Sequence, residues 1–418
     1  MVMLKGKEYT GADLGTNFGH KRKTQAGADG VTRDQWENLF VDAVAEVGEH
    51  ALEAASLRQQ AIDAVAQIAP SVPIVTAARD QAVAAANTAA GIVQSVDVVD
   101  RAGIPPILDF PFSGPAAVPS GVITGSSGKW VTGQSGLLTY VPAGTAPIEY
   151  DPITSALRGL RVELATTNLI LGSDAPSTQA VSVTAQAYTL SFYGTGTVTL
   201  SGAYAASVTG TGAFPALKTL TFTPAAGTLM LTISGAVQFA QFETGVLPTS
   251  YTRTVGSTVT RAADVNALLL SAVAGWSAAE GTVVIRGRTA LGMGSTGQVL
   301  WCMDDGTGSN RFFIYRETNR IVYALTQVGG VTQSSLGLGS VADDAAICVS
   351  FSWAANSFVA SLNGGTVVTA SSGSIPSGVT TLRIGSLVGS SAPWNSTIAR
   401  LTQFPRRLSN ATHPLLTA

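Results

Sequence analysis

The chain has 418 residues, of which 45% are hydrophobic and only 12% charged, and its 24 Lys and Arg against 26 Asp and Glu leave a net charge of -2. That composition excludes a disordered chain, which needs high charge and few apolar residues, and the near-balanced charge excludes a nucleic-acid surface spread over the whole molecule. Mean hydropathy is positive, yet the most apolar window, Val265 to Trp276, runs about a dozen residues and holds Asn266 and Ser271, so no membrane insertion is expected.

The N-terminus, MVMLKGKEYTGADLG, has no apolar run of the secretory kind. Lys5, Lys7, Lys21 and Lys23 crowd the first 23 residues, with His20 and Arg22 beside the last pair. Two readings of this basic end stand side by side: a tail that grips a partner, and a plain solvated tail.

From Thr32 to about Gly103 the chain is rich in Ala, Gln, Asp and Glu and poor in Gly. Thr32 followed by Gln35 makes a capping-box start. The series Trp36, Phe40, Ala43, Val47, His50, Ala54, Leu57, Ala61, Ala64 and Ile68 alternates steps of four and three, the seam of a coiled coil. The spacing predicts an oligomeric helical stalk over 32–103, interrupted at Pro70 and Pro73, which lack the amide a helix needs. A second, Ala-rich helix is expected from about Val75 to Val96.

Residues 104–160 open with IPPILDFPFSGPAAVPSG and continue as short alternating stretches between glycines and prolines. They are read as a rigid collar of low helix content. From 161 to 262, and again from 263 to 418, nearly every segment alternates with period two and breaks at turns. Examples are AVSVTAQAYTLSFYG, GTLMLTISG, GTVVIRGRT and SFVASLNG. The expected fold is mainly β: an N-terminal α-helical coiled-coil stalk followed by two antiparallel β-sandwich (jelly-roll) domains.

The three histidines are His20, His50 and His413, so no imidazole is available between residues 51 and 412. Cys302 and Cys348 sit in the apolar runs VLWCM and AICVSF and are expected as buried free thiols. No cofactor, no metal ion and no catalytic residue is predicted. A glycosidase needs two carboxylates flanking the scissile bond, and the sequence singles out no such pair, so the chain is read as a non-enzyme.

Several phrases, in order, resemble bacteriophage virion fibre proteins, head-spike and tail-fibre chains that carry carbohydrate-binding modules. They are IEYDPITSALRGLRVELATTNLIL (148–171), YTLSFYGTGTVTLSG (188–202), AGTLMLTISGAVQFAQFETGVLPTSYTRT (226–254) and VTRAADV (259–265). From Glu280 to IARLTQFPRRLSNA (398–411) the chain is similar to concanavalin A-like and laminin-G-like lectin domains of such fibres. The resemblance covers about residues 148–411. It implies a homotrimer whose residues 1–31 attach to other virion proteins and whose sandwiches meet host surface polysaccharide, without nucleic acid as a partner. Two other readings are kept: a decoration subunit making protein contacts within the virion and, more weakly, a capsule-degrading enzyme.

Sugars are held by stacking on aromatic rings while side-chain oxygens and amides bond the hydroxyls. In the last domain Trp301 and Trp353 lie in apolar strand runs and are read as core, whereas Trp394, in GSSAPWNST, is expected at the surface. The candidate glycan contacts are Trp394, Asn395, Asp304, Asp305, Asn310 and Tyr315. The loop Asp304-Asp305-Gly306-Thr307-Gly308 is read as a hairpin connection, with calcium binding as the alternative. Asp343-Asp344 is read as a turn.

Overall fold

A computed structural model describes residues 101–114, 122 and 127–418, and before them residues 2–4, 7–9, 56–58, 81, 82 and 85. The chain divides into two units, 1–96 and 97–418. In the first, Val2–Leu4 and Lys7–Tyr9 pair antiparallel, with Val2 opposite Tyr9. Residues 56–58 are helical and Leu57 is exposed. The rest of the predicted seam, and with it the coiled-coil stalk, lies outside the described residues. So does the second helix, apart from the helical residues 81, 82 and 85.

The second unit is mainly β, and local patterning explains its strands. In Gly227–Ser234 the burial alternates, with Leu229 and Leu231 fully inside and Thr228, Met230 and Thr232 outside, as a half-buried strand requires. The strand Gln298–Asp304, apolar from Val299 to Met303, is instead buried at every position, because both faces of its sheet are covered there.

Two cores organise the unit. The smaller lies between a three-stranded sheet (Lys218–Phe222, Tyr188–Gly194, Val237–Thr244) and a four-stranded one (Ala206–Thr209, Thr197–Gly202, Gly227–Ser234, Gln179–Val183), and contains Phe192, Leu190, Leu229 and Phe242. The larger lies between a six-stranded and an eight-stranded sheet and contains Trp301, Trp353, Trp394, Phe312 and Phe351. Each lobe is thus two antiparallel sheets around one apolar core. Trp301 and Trp353 are fully buried, as read from their apolar runs. Cys302 and Cys348 are free and buried.

The boundaries differ from those drawn on the sequence. The stretch 104–160 is not a separate collar: Leu108–Phe110, Ile148–Tyr150 and Leu157–Val162 belong to the eight-stranded sheet of the last lobe, through Ser396–Phe404. Gly159 makes the pairing possible. Its φ is +102°, and a Cβ there would lie 2.2 Å from the Ile398 carbonyl oxygen, so no other residue fits this approach.

The larger sandwich is therefore discontinuous, and the smaller lobe is inserted between its Leu157–Val162 and Ala267–Leu269 strands. The neck of the insertion is a two-stranded ribbon, Thr166–Asn168 with Val259–Arg261. Just below it the Asp264 amide donates to the Glu163 carbonyl (3.0 Å) and the Glu163 amide to the Asp264 carboxylate (2.7 Å).

His413, in the short helix Thr412–Thr417, is fully buried between Ser352 (2.9 Å) and Ser350 (2.8 Å). Burial first, then nearby Arg407, lowers its pKa to about 4. No helix among the described residues is long and apolar enough to cross a membrane.

Candidate functional site

Where the inserted lobe meets its host sandwich, a cleft of about 190 Å³ opens. One wall is aromatic. Phe214 and Tyr193 lie 5.2 Å apart between ring centroids, Tyr193 and Phe239 6.4 Å, Phe239 and Tyr251 5.5 Å, and Tyr251 and Trp130 6.3 Å, a continuous row of five rings. All five line the cleft.

Local backbone geometry aims these rings. In the strand Lys129–Thr132 alternation turns Lys129 into the interior and leaves Trp130 half-buried on the cleft side, next to Tyr140 on the paired strand. The ladder between Tyr188–Gly194 and Val237–Thr244 slips between Ser191 and Tyr193, so that Gln238 to Gln241 face one residue fewer. Phe239 sits in this bulge at φ +48°. A bulky residue in the left-handed region is a backbone outlier, and bulges re-aim side chains beside binding sites.

The opposite wall is polar. Arg158, Arg161, Arg288, Glu149, Asp344 and Asn395 line it. Arg158 pairs with Asp151 at 2.8 Å. Arg161 reaches Glu163 at 2.9 Å and Glu149 at 3.3 Å. Arg288 pairs with Asp344. The hydrogen bond to Asp344 raises the Arg288 pKa, and the same bond, working against partial burial, lowers that of Asp344. Partial burial opposes ionisation of Asp151, but hydrogen bonds from Thr154, Arg158 and Ile153 bring its pKa down to about 2. Burial, then the charge of Glu149, pushes the Tyr193 phenol up to about 12.

Beneath the cleft lies a buried ion network. Lys129, Glu163, Arg261 and Asp264 are each 1% exposed. Lys129 pairs with Asp264 and stands 3.4 Å from Glu163, and Arg261 lies 3.4 Å from Glu163 without making a hydrogen bond. Burial alone would raise the Glu163 pKa, but Arg161, Arg261 and Lys129 together hold it well below the usual carboxylate range. For Asp264 burial wins over Lys129 and the pKa is raised. The Ser250 amide donates to Glu163 at 2.7 Å, which ties the aromatic wall to this network. Glu243, also buried, accepts from the Thr249 amide and hydroxyl and from Gln241, fixing the loop before Tyr251.

The residues expected to contact glycan fall in two places. Trp394 is corrected: it is fully buried, and its indole N–H donates to the carbonyls of Arg288 (2.8 Å) and Thr397 (3.3 Å), so it supports the cleft from behind and offers no ring face. Asn395 does line the cleft, with its Oδ1 accepting from the Leu164 amide. Asp304 is also corrected. It is fully buried, paired with Arg383 at 2.5 Å, and bonded to the Gly306 amide.

Asp305 accepts from Thr307 and from Asn310, and these bonds outweigh its slight burial and lower its pKa. Asn310 in turn accepts from the Gly329 amide. The segment 305–310 connects the antiparallel strands Gln298–Asp304 and Arg311–Arg316, a hairpin turn. Tyr315, half-buried, stacks on Tyr323 at 5.5 Å on the outer face of the six-stranded sheet. Among the described residues no group of three or more His, Cys, Asp or Glu side chains converges to hold a metal.

Asp343 and Asp344 form the turn expected from the sequence, and Asp344 also lines the cleft. The five rings and three arginines of the cleft are not legible in the sequence because they arrive from at least six segments spread over residues 130 to 288. One local signal existed. In a chain with 12% charge, IEYDPITSALRGLRVE gathers Glu149, Asp151, Arg158, Arg161 and Glu163 within 15 residues.

No protein-family model matches this sequence, and no curated protein matches it. Partial likenesses to solved structures exist. The chain is similar to the CBM40 of Ruminococcus gnavus IT-sialidase, in complex with alpha2,6 sialyllactose, at 17% identity over 33% of this chain and 83% of that one, with a TM-score of 0.30. It is also similar to the NanB sialidase of Streptococcus pneumoniae (14%, 35% and 25%, 0.29) and to a leech intramolecular trans-sialidase (16%, 37% and 26%, 0.31). The chain thus spans about a quarter of the two enzymes. The reading of this chain as a non-enzyme is corrected by the last two matches: it is withdrawn, and the enzymatic status of the chain is unresolved.

Proposed function

We propose that this chain is a glycan-binding protein that holds a sugar in the cleft between its two sandwiches and serves as a bacteriophage virion fibre or head spike adsorbing to host surface polysaccharide. The observation that carries the glycan reading is the row Phe214, Tyr193, Phe239, Tyr251 and Trp130 facing hydrogen-bonding arginines, carboxylates and Asn395 across one cleft. Ring faces take the apolar face of a sugar, and the polar wall takes its hydroxyls. The volume, below the roughly 300–1,000 Å³ of drug-sized sites, suits one sugar ring at a time. Support for the virion reading is the ordered set of fibre-like phrases between residues 148 and 411. In that reading the protein is a homotrimer, and three weak sites gain through effective concentration.

The test is a glycan array followed by calorimetry on the full chain. Trp130→Ala and Tyr193→Ala each weaken the bound glycan by about tenfold or more, an effect of about 1.4 kcal/mol. A glycan whose binding ignores both substitutions sinks the assignment to the cleft. Light scattering checks the trimer.

A further inference from the structure

The cleft's arginines are already spoken for, and this determines which sugars suit it. Arg161 places Nε and a terminal nitrogen on Glu163 Oε1 at 3.0 and 2.9 Å, and its other terminal nitrogen on Glu149 at 3.3 Å. Arg158 is held by Asp151 and Arg288 by Asp344. Each cation lining the cleft thus carries a carboxylate of the same chain. We propose that the cleft selects uncharged sugar rings over acidic ones, and that Asp344 is a specificity-determining residue that keeps anionic sugars out by occupying Arg288. This inference rests on the reading of the cleft as a glycan site.

The physical argument is one of competition. A carboxylate on the ligand meets arginines whose charge an internal carboxylate already balances. Whether it displaces that carboxylate or takes the remaining N–H donors beside it, it lies against a fixed negative charge, which is how a site rejects a close analogue. A hydroxyl has no such conflict, because it donates and accepts at once. An arginine–carboxylate pair presents N–H donors and oxygen acceptors side by side, so neighbouring hydroxyls on one ring bridge the pair without breaking it. The aromatic row opposite takes the same ring in either case, since stacking does not distinguish an acidic sugar from its neutral counterpart. The discrimination therefore lies on the polar wall.

Asp344 is the accessible member. It is exposed and sits at φ +50°, a conformation that Asn tolerates well. Asp344→Asn removes the charge, keeps the shape and frees Arg288.

The experiment uses the full chain and matched pairs of probes: oligosaccharides of galactose and galacturonate, and of glucose and glucuronate, which differ in the carboxylate. Calorimetry is run on wild type, Trp130→Ala, Tyr193→Leu and Asp344→Asn, with thermal melting to confirm that each variant is folded. The expected result is a neutral probe bound at least ~10-fold more tightly than its acidic partner, with both weakened by the aromatic substitutions. In Asp344→Asn the acidic-to-neutral affinity ratio rises about threefold or more, as fits a partly exposed pair. An acidic probe bound as tightly as its neutral partner, and weakened by Trp130→Ala, overturns the inference and leaves the glycan reading standing. An unchanged ratio in Asp344→Asn overturns the role of that residue. If no probe binds in a way that depends on Trp130 or Tyr193, the glycan reading itself fails, and the inference with it.

Discussion

The hairpin turn at 305–310 and the cleft between the lobes both gather acidic and amide side chains, but they are chemically opposite. At the turn, Asp304 is consumed by Arg383 and Gly306, Asp305 by Thr307 and Asn310, and Asn310 by Gly329. Those side chains shape the loop and spend their hydrogen bonds on it. In the cleft charged pairs and five aromatic rings line one open volume. A run of polar residues close in sequence is most simply a turn. A site is made where segments far apart in sequence converge on a volume that the protein itself does not fill.

The largest effect that separates the two regions is expected at Glu163. Glu163→Gln removes the buried partner shared by Arg161, Arg261 and Lys129, and loss of one member of a buried ion network costs about 3–5 kcal/mol, read as a shift in the urea unfolding midpoint. The acid limb gives a second readout. The Glu163 pKa is lowered in the folded protein, so its contribution is fully present above the unfolded value, about 4.3, and is lost as pH falls below it. Wild type therefore destabilises on acidification more steeply than Glu163→Gln. Equal slopes would remove Glu163 from the centre of the network.

Next in size is Trp394→Phe. It keeps most of the ring volume but deprives the Arg288 and Thr397 carbonyls of the indole donor, at a cost of about 1–3 kcal/mol, read as a lower melting temperature. Full stability of this variant would put Trp394 outside the support of the cleft. The smallest effect sharpens the comparison from the other side. Tyr315→Ala, on the outer sheet face, costs less than about 1.5 kcal/mol of ring-pair energy and leaves affinity for the cleft's glycan unchanged. A tenfold loss of that affinity would move the sugar site to the six-stranded sheet.

What the sequence disclosed follows from the range of the interactions. The period-two strands such as Gly227–Ser234, the core positions of Trp301 and Trp353, and the hairpin at 305–310 depend on nearby residues and were legible. The insertion was not, because Leu157–Val162 finds its partner at Ser396–Ile398, more than two hundred residues later. Trp394 misled because its Pro and Asn neighbours look like an exposed turn, whereas the carbonyls that bury its N–H belong to Arg288 and Thr397. The cleft needed both kinds of knowledge at once: which strands pair, and where a bulge turns Phe239.

The inserted position of the small lobe also sets a timetable for synthesis. Leu157–Val162 leaves the ribosome before the whole inserted lobe, and its sheet partner Ser396–Phe404 follows about 240 residues later, an interval of roughly 10–50 s at ordinary elongation rates. During that time the early strands of the larger sandwich wait with an unpaired edge. The lobe from 166 to 261 has its own core and every strand of its two sheets to hand. It is expected to fold first, bringing Glu163 and Asp264 together and holding the waiting segment in place until the late strand arrives.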